Sequence, residues 1–330
     1  MKSLIKTELK HLKLNKKLFL FLRILFTFLI LGVIFYKIDF KKFLSIYKNI
    51  NPFYLLPAIF FYYLAFVLLS LRWKILLIQH GKDFKLSEIF KVYLLGMVVN
   101  TISPATLGVD ILRGYMISTK IQSGKSFAFA SVLVDRLTGL FGIFSFVPFS
   151  VFILKGLPNP GRIIFLFILL SLSIIVLFYF SFTPAFEKIF KSAFSPLSFL
   201  KLNERLMKFY DAYKIYSAHK KEVISAYFIT LLLQSFFSIQ AYFCARALSL
   251  NLSPFIFVFL IPLINSLNFI PVTISGLGVR EAGFYALFSF YFTPESSVSI
   301  SLLYFASGVV ANLPFGVYLF KSPFESEKKK

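Results

Sequence analysis

The sequence is poor in the residues from which soluble catalytic centres are built. Of 330 residues one is cysteine, Cys244, so no internal disulfide can form. The three histidines, His11, His80 and His219, lie far apart and outside the long apolar runs, which argues against a histidine-based metal site. No metal-binding aspartate pair, Cys/His cluster, P-loop or dinucleotide fingerprint occurs, so no catalytic residue, metal or cofactor is predicted. Charge is scarce as well, at 15% of residues against about a quarter in soluble domains. Such a chain cannot cover itself with polar surface.

What is present is apolar and aromatic: 58% hydrophobic residues, with 46 Phe and 17 Tyr but one Trp. The formal charge of +22 comes from 36 basic and 14 acidic residues. In a chain that crosses a membrane repeatedly this is a topology signal, because cytoplasmic loops collect Lys and Arg; nucleic acid is set aside as a partner. The same basic residues attract anionic headgroups by about 1 kcal/mol each at the membrane surface.

Six uninterrupted apolar runs read as spans: 18–36, 52–71, 127–154, 162–182, 223–245 and 298–320. Each approaches or exceeds the ~20 residues needed to cross a ~30 Å hydrocarbon core. The first follows six lysines between Lys2 and Lys17 and shows no small-residue cleavage site, so it is expected to stay as an anchor. Two further apolar stretches, 89–107 and 255–292, are interrupted by Pro, Gly and charge. A full crossing by the first would place the lysine-rich connection 183–222 outside, against the positive-inside rule. A hairpin entering and leaving from the cytoplasm puts 183–222 and both termini inside, and the second hairpin then opens outward. Segment 37–51, with Lys37, Lys41, Lys42 and Lys48, falls outside in this scheme; Phe40, Phe43, Leu44, Tyr47 and Ile50 recur at helical spacing, so it is expected to lie flat in the interface.

The predicted fold class is therefore all-α: a polytopic helical membrane protein of about six full spans plus two opposed broken or re-entrant hairpins in an inverted repeat. A single transmembrane domain runs from 18 to 320, with inverted halves at about 18–154 and 162–320. It lies between a basic cytoplasmic segment, 1–17, and a basic cytoplasmic tail, 321–330, in the cell (inner) membrane. The hairpins share a short likeness, Thr101-Ile102-Ser103 with Leu107-Gly108-Val109 against Thr273-Ile274-Ser275 with Leu277-Gly278-Val279. Broken helices in inverted repeats are the plan of proteins that move a substrate by alternating access, whereas Gly and Pro alone also serve close helix packing.

Ionisable residues in membrane helices cost about 2.5–3.5 kcal/mol each on insertion scales and demand a partner or a wet cavity. Three clusters qualify: Asp110 with Arg113, Asp135 with Arg136, and Arg280 with Glu281. Adjacent residues diverge on a helix, so Asp135 and Arg136 need different partners, and Arg113 or Arg280 would serve Asp135. Arginines converging from opposed hairpins would make a phosphate site, joined by backbone amides freed at Gly276 and Gly278. A purely structural ion-pair lock explains the same residues. Asn100, Asn265, Asn268 and Asn312 lie in or beside the breaks, where they can satisfy loosened backbone; Asn100 is carried with the candidate substrate site. Arg72, Lys74 and Arg246 sit near span ends, where snorkelling accounts for them.

The residues Asn100, Pro104, Gly108-Val109-Asp110, Arg113, Asp135-Arg136 and Pro271 leading to Gly276-Leu277-Gly278-Val279-Arg280-Glu281 resemble the flippase-like transmembrane family, also called the lysylphosphatidylglycerol synthase membrane-domain family. The likeness covers roughly residues 15–320. Val109 stands where the family usually has a second glycine. The best-known members carry a soluble aminoacyl-transferase domain after the membrane part, and none follows here, so the resemblance implies the translocating half without synthase chemistry. It implies as partners a membrane phospholipid or other anionic lipid, and a separate lipid-modifying enzyme. The expected function is translocation of an anionic or polar-headed lipid between leaflets. The alternatives are a membrane enzyme or accessory factor for polyprenyl-phosphate-linked sugars and a non-transporting scaffold.

Overall fold

A computed structural model describes residues 21–102, 108–121, 124–154, 183–194, 202–267, Thr273 and 276–321, with scattered positions between 161 and 181. The described chain is helical. Helix α1 (Phe21–Lys37) turns by 87° into α2 (Phe40–Lys48). The turn is stabilised by the Asp39 carboxylate, which accepts from the amides of Lys41 and Lys42 at 2.9 and 3.2 Å, while the Asp39 amide donates to Glu295 at 3.1 Å. Helix α2 thus crosses the end of α1 with its lysines exposed, as an interfacial helix would.

Helix α3 (Leu55–Leu76) follows a single 3-10 turn, Pro52–Tyr54. Together they give 25 residues, about 37 Å, enough to cross. Gly124–Ser150, which joins α6 (Gly124–Phe144) to α7 (Val147–Ile153), is the next crossing. Helices α10 (Lys220–Ala247) and α13 (Pro294–Lys321) supply two more. Four described helices are long and apolar enough to span; counting the bent pair α1–α2 as one span gives five. The expected span 162–182 lies largely outside the described residues.

The interrupted stretches form helix pairs. The first is α4 (Leu86–Ile102) with α5 (Gly108–Ser118); the second is α11 (Pro254–Leu267) with α12 (Val279–Phe288). Their members run 17, 11, 14 and 10 residues, about 15–26 Å, each too short to cross alone. Each pair also returns to the end it left. Glu88 at the start of α4 meets Lys120, just past α5, at 3.8 Å, and the Phe257 and Phe288 rings at the base of the second pair lie 4.9 Å apart.

Two long-range contacts show that the halves are inverted. The Asn51 amide, just before α3, donates to the Ala247 carbonyl that ends α10 at 2.8 Å, and Tyr216, just before α10, donates to the Leu76 carbonyl that ends α3 at 2.6 Å. Helices α3 and α10 are therefore antiparallel. The first hairpin shares a hydrophobic core with Leu76 and Tyr216; the second shares one with Ala247 and Leu248. They enter the bundle from opposite ends. Packing repeats the relation: α4 lies between α3 and α13, and α11 lies between α10 and α6, while α5 packs on α6 as α12 packs on α13.

Close approach of α6 and α10 depends on Gly142, where a Cβ would lie 2.4 Å from the Thr230 methyl. The basic connection carries α8 (Pro184–Phe194) and α9 (Leu202–Lys214). Phe190 stacks on Tyr210 at 4.9 Å, and Glu187 bonds both Lys191 and Lys214, at 2.7 and 2.6 Å. Those hydrogen bonds hold the Glu187 carboxyl down at about 2.

Candidate functional site

The membrane charges gather on one cavity of about 380 Å³ at the middle of the bundle. Its wall takes Asp110 and Arg113 from α5, Asp135 and Arg136 from α6, and Gly276 and Arg280 from the second hairpin. Residues about 170 positions apart in the chain thus face one space, as the inverted halves require. Four arginines against two aspartates leave the wall cationic. The fourth arginine is Arg72.

Asp135 is the hub. One carboxylate oxygen accepts from Arg72 Nε at 2.7 Å; the other accepts from Arg113 Nη2 and from the Tyr93 hydroxyl, both at 2.9 Å. Arg72 also donates to Thr230 at 3.0 Å. The Arg113 guanidinium lies over Trp73 and Tyr93, 4.6 and 4.3 Å from the ring centroids, and Trp73 donates to Ser131 at 3.2 Å. Asp135, Arg113 and Arg72 are all buried, at 1%, 3% and 5% exposure. A buried carboxylate shared by two guanidiniums and a phenol has its lone pairs satisfied, which is what makes such burial tolerable.

Arg136 points elsewhere, as expected of its neighbour on a helix. It pairs with Asp110, which also stands 3.7 Å from Arg113, and about a third of its side chain is exposed. The first two clusters are therefore one network, and its exposed member is Arg136.

The second hairpin behaves differently from expectation in two respects. Arg280 reaches neither Asp135 nor a neighbouring helix for its ion pair, but folds onto Glu281, with bonds of 3.1 and 2.8 Å, and lies 4.3 Å over the Phe305 ring. The amide of Gly278 is also unavailable to a ligand, because the Glu281 carboxylate reaches back to accept from it at 2.6 Å at the start of α12. Glu281 accepts further from Ser301 at 3.1 Å and is fully buried behind the cavity. Gly278 sits at φ +85° with the Thr27 carbonyl and Ile30 of α1 3.3 Å from where a Cβ would be, so glycine is required by both backbone and space.

Arg72 corrects the snorkelling assignment. The helix extends to Leu76, and Arg72 is buried inside the bundle, where its charge is met by Asp135. Lys74, in the last turn, and Arg246, bonded to Tyr54 at 3.3 Å and to Asn251, do sit at helix ends. Asn265 and Asn312 donate to the side chains of Gln234 and Tyr62, at 3.1 and 2.7 Å, rather than repairing loosened backbone. The side chain of Asn100, and all of Pro104, Asn268 and Pro271, lie outside the described residues.

Sequence reasoning also passed over Tyr93, Thr230, Gln234 and Gln240. Thr230 and Gln234 carried a legible signal, since with Ser238 they recur every fourth residue along helix α10, whereas Gln240 lies off that stripe; Thr230 bonds the network and the two glutamines line the cavity.

With this geometry in hand, comparison with known proteins is decisive at the family level. The lysylphosphatidylglycerol synthase TM region matches residues 20–316. The chain belongs to this family. Among similar curated proteins is a UPF0104 membrane protein of Methanocaldococcus jannaschii, 26% identical over 296 residues, covering 85% of this chain and 88% of that one. A second UPF0104 membrane protein of the same organism is 29% identical over 190 residues, covering 56% and 76%. One from Methanothermobacter thermautotrophicus is 28% identical over 137 residues, 40% of each chain. No solved structure matches. The family is a multi-pass membrane family, in agreement with the spanning helices.

Proposed function

We propose that this protein translocates an anionic or polar-headed lipid between membrane leaflets. The observation that supports the reading is the shared cavity: arginines of both inverted halves line one space between hairpins that enter from opposite ends. A guanidinium suits a phosphodiester through paired, charge-assisted hydrogen bonds. In this scheme the headgroup crosses along the cationic wall while the acyl or isoprenoid tails stay in the bilayer. Motion of one hairpin against its half opens the cavity to one leaflet, and the symmetry-related motion opens it to the other.

The reading places the protein in the cell membrane with both termini and the α8–α9 pair in the cytoplasm, where Lys188, Lys191, Lys208 and Lys214 obey the positive-inside rule. A separate lipid-modifying enzyme supplies the lipid, and this chain performs no covalent chemistry on it.

Purified protein in liposomes carrying a fluorescent phosphatidylglycerol tests the proposal. Faster loss of inner-leaflet protection from a membrane-impermeant quencher, relative to protein-free liposomes, is the expected result. Turnover of a polyprenyl-phosphate sugar with no lipid movement would instead favour an enzyme.

A further inference from the structure

On the part of the cavity wall supplied by α10 and α13, two buried amides are incompletely bonded. Gln240 donates its amide nitrogen to Ser307 Oγ at 3.0 Å and to the Tyr304 carbonyl at 3.4 Å; that carbonyl can only accept, which fixes the orientation of the amide. Its Oε1 is left without a partner. Asn312 donates to the Tyr62 hydroxyl at 2.7 Å, and its Oδ1 is likewise unpartnered. Both residues line the cavity, at 1% and 5% exposure. A buried carbonyl without a donor is costly, so a ligand that brings neutral donors gains by meeting it. On the cationic side Arg113 has the converse vacancy, an unpartnered Nε–H.

The acids of the network are each paired with an arginine, Asp110 the least completely: its Oδ2 lies against Arg136 but accepts no hydrogen bond, and its Oδ1 stands 3.7 Å from Arg113. Asp135 is shared by Arg72, Arg113 and Tyr93; Asp110 is paired with Arg136; Glu281 is saturated by Gly278, Arg280 and Ser301. An ammonium group entering this space would meet four arginines, and would have to compete with one of them for any carboxylate there.

We propose that the cavity reads an uncharged polyhydroxyl headgroup, so that its lipid is the phosphodiester of a polyol (glycerol, inositol or a sugar) rather than of an amine. The phosphate lies against the arginines, and hydroxyls donate to Gln240 and Asn312. The volume of about 380 Å³ falls within the ~300–1,000 Å³ typical of small-ligand sites and suits a headgroup with its tails left outside. The inference rests on the lipid reading above and adds the headgroup class to it.

The single tryptophan, Trp73, packs on Arg113 and reports on the site without labelling. Its emission is followed in the full chain in detergent during titration with short-chain phosphatidylglycerol, phosphatidylinositol and phosphatidylserine. These carry the same net charge, so a difference between them is a difference of headgroup. Phosphatidylglycerol and phosphatidylinositol should saturate the signal at a concentration at least tenfold below phosphatidylserine. In Gln240→Leu and Asn312→Leu proteins with wild-type helical content the ratio should fall toward one. Glycerol 1-phosphate alone separates the two sources of this chemistry: binding as tight as that of the lipid would assign the site to a soluble phosphate ester and overturn the lipid. Equal binding of phosphatidylglycerol and phosphatidylserine would overturn the headgroup assignment and leave translocation standing. A polyol preference in protein that flips no lipid would do the reverse.

Discussion

Asp135→Asn is the substitution with the largest consequence that the ion network predicts. The carboxylate accepts from Arg72, Arg113 and Tyr93, and all are buried. Asparagine keeps the shape but removes the charge, and its amide nitrogen would point a donor at donors. The amide oxygen can still accept from one guanidinium, but two positive charges then remain in a low-dielectric interior, Arg113 with Asp110 at 3.7 Å as its nearest carboxylate and Arg72 with none. Breaking a buried pair by removing one partner costs about 3–5 kcal/mol. At about 1.4 °C per kcal/mol for a chain of this size, the melting temperature in detergent should fall by about 4–7 °C. Arg136→Gln is the contrast, because that pair is partly exposed and Asp110 keeps Arg113. It should cost about 1 kcal/mol or less, a shift under about 1.5 °C. Thermal unfolding followed by far-ultraviolet circular dichroism measures both. An Asp135→Asn protein melting within 2 °C of wild type would refute the hub.

Three further outcomes follow from local geometry. Gly278→Ala forces a positive φ on alanine and crowds the Thr27 carbonyl, so stability should drop by about 1–3 kcal/mol, read as a lower melting temperature; an unchanged one would show that the α1–α12 contact is loose. Glu187 has a carboxyl pKa depressed to about 2, so its contribution to the α8–α9 pair is complete above the ordinary glutamate range and is lost only as pH falls through about 2. Glu187→Gln should therefore raise tryptic cleavage at Lys191 and Lys214 at neutral pH relative to the wild type, and an unchanged rate would contradict the role of Glu187. In a Cys244→Ala background, Lys120→Cys should react with an impermeant maleimide only from the cytoplasmic side and Asn251→Cys only from outside; labelling of both from one side would contradict the opposed hairpins.

Much of this architecture was legible in the residues. The long spans announced themselves through apolar length, and the two hairpins through Pro, Gly and charge where an uninterrupted helix would have none. Their opposed entry was legible because lysines in 183–222 constrain which side each hairpin opens to, and the Asn51–Ala247 and Tyr216–Leu76 contacts bear it out. Gathering of Asp110, Arg113, Asp135, Arg136 and Arg280 on one wall followed from the cost of isolated charge in a membrane.

Partner identity was not legible. Arg72 and Asp135 are 63 residues apart, and the snorkelling argument treats a helix end in isolation, so it could not register a carboxylate arriving from α6. Helix extension by five residues beyond the apolar run, to Leu76, decided the matter. The Gly278 amide was read as free because the glycines mark a helix start, but the carboxylate of Glu281, three residues later, reaches back and takes it. Thr230 and Gln234 were visible as a polar stripe, yet a stripe does not say what it faces.

The central claim, that the arginine-lined cavity is the path of a lipid headgroup, is tested most directly by comparing phosphatidylglycerol flipping in liposomes carrying wild-type or Arg136→Gln protein at equal density. Arg136 is the exposed member of the network, and its loss should leave the fold intact while removing a charged hydrogen bond to phosphate of about 1.5 kcal/mol or more. The account predicts a flipping rate at least tenfold lower for the variant. Equal rates for the two folded proteins, or a wild-type rate no faster than that of protein-free liposomes, would contradict it.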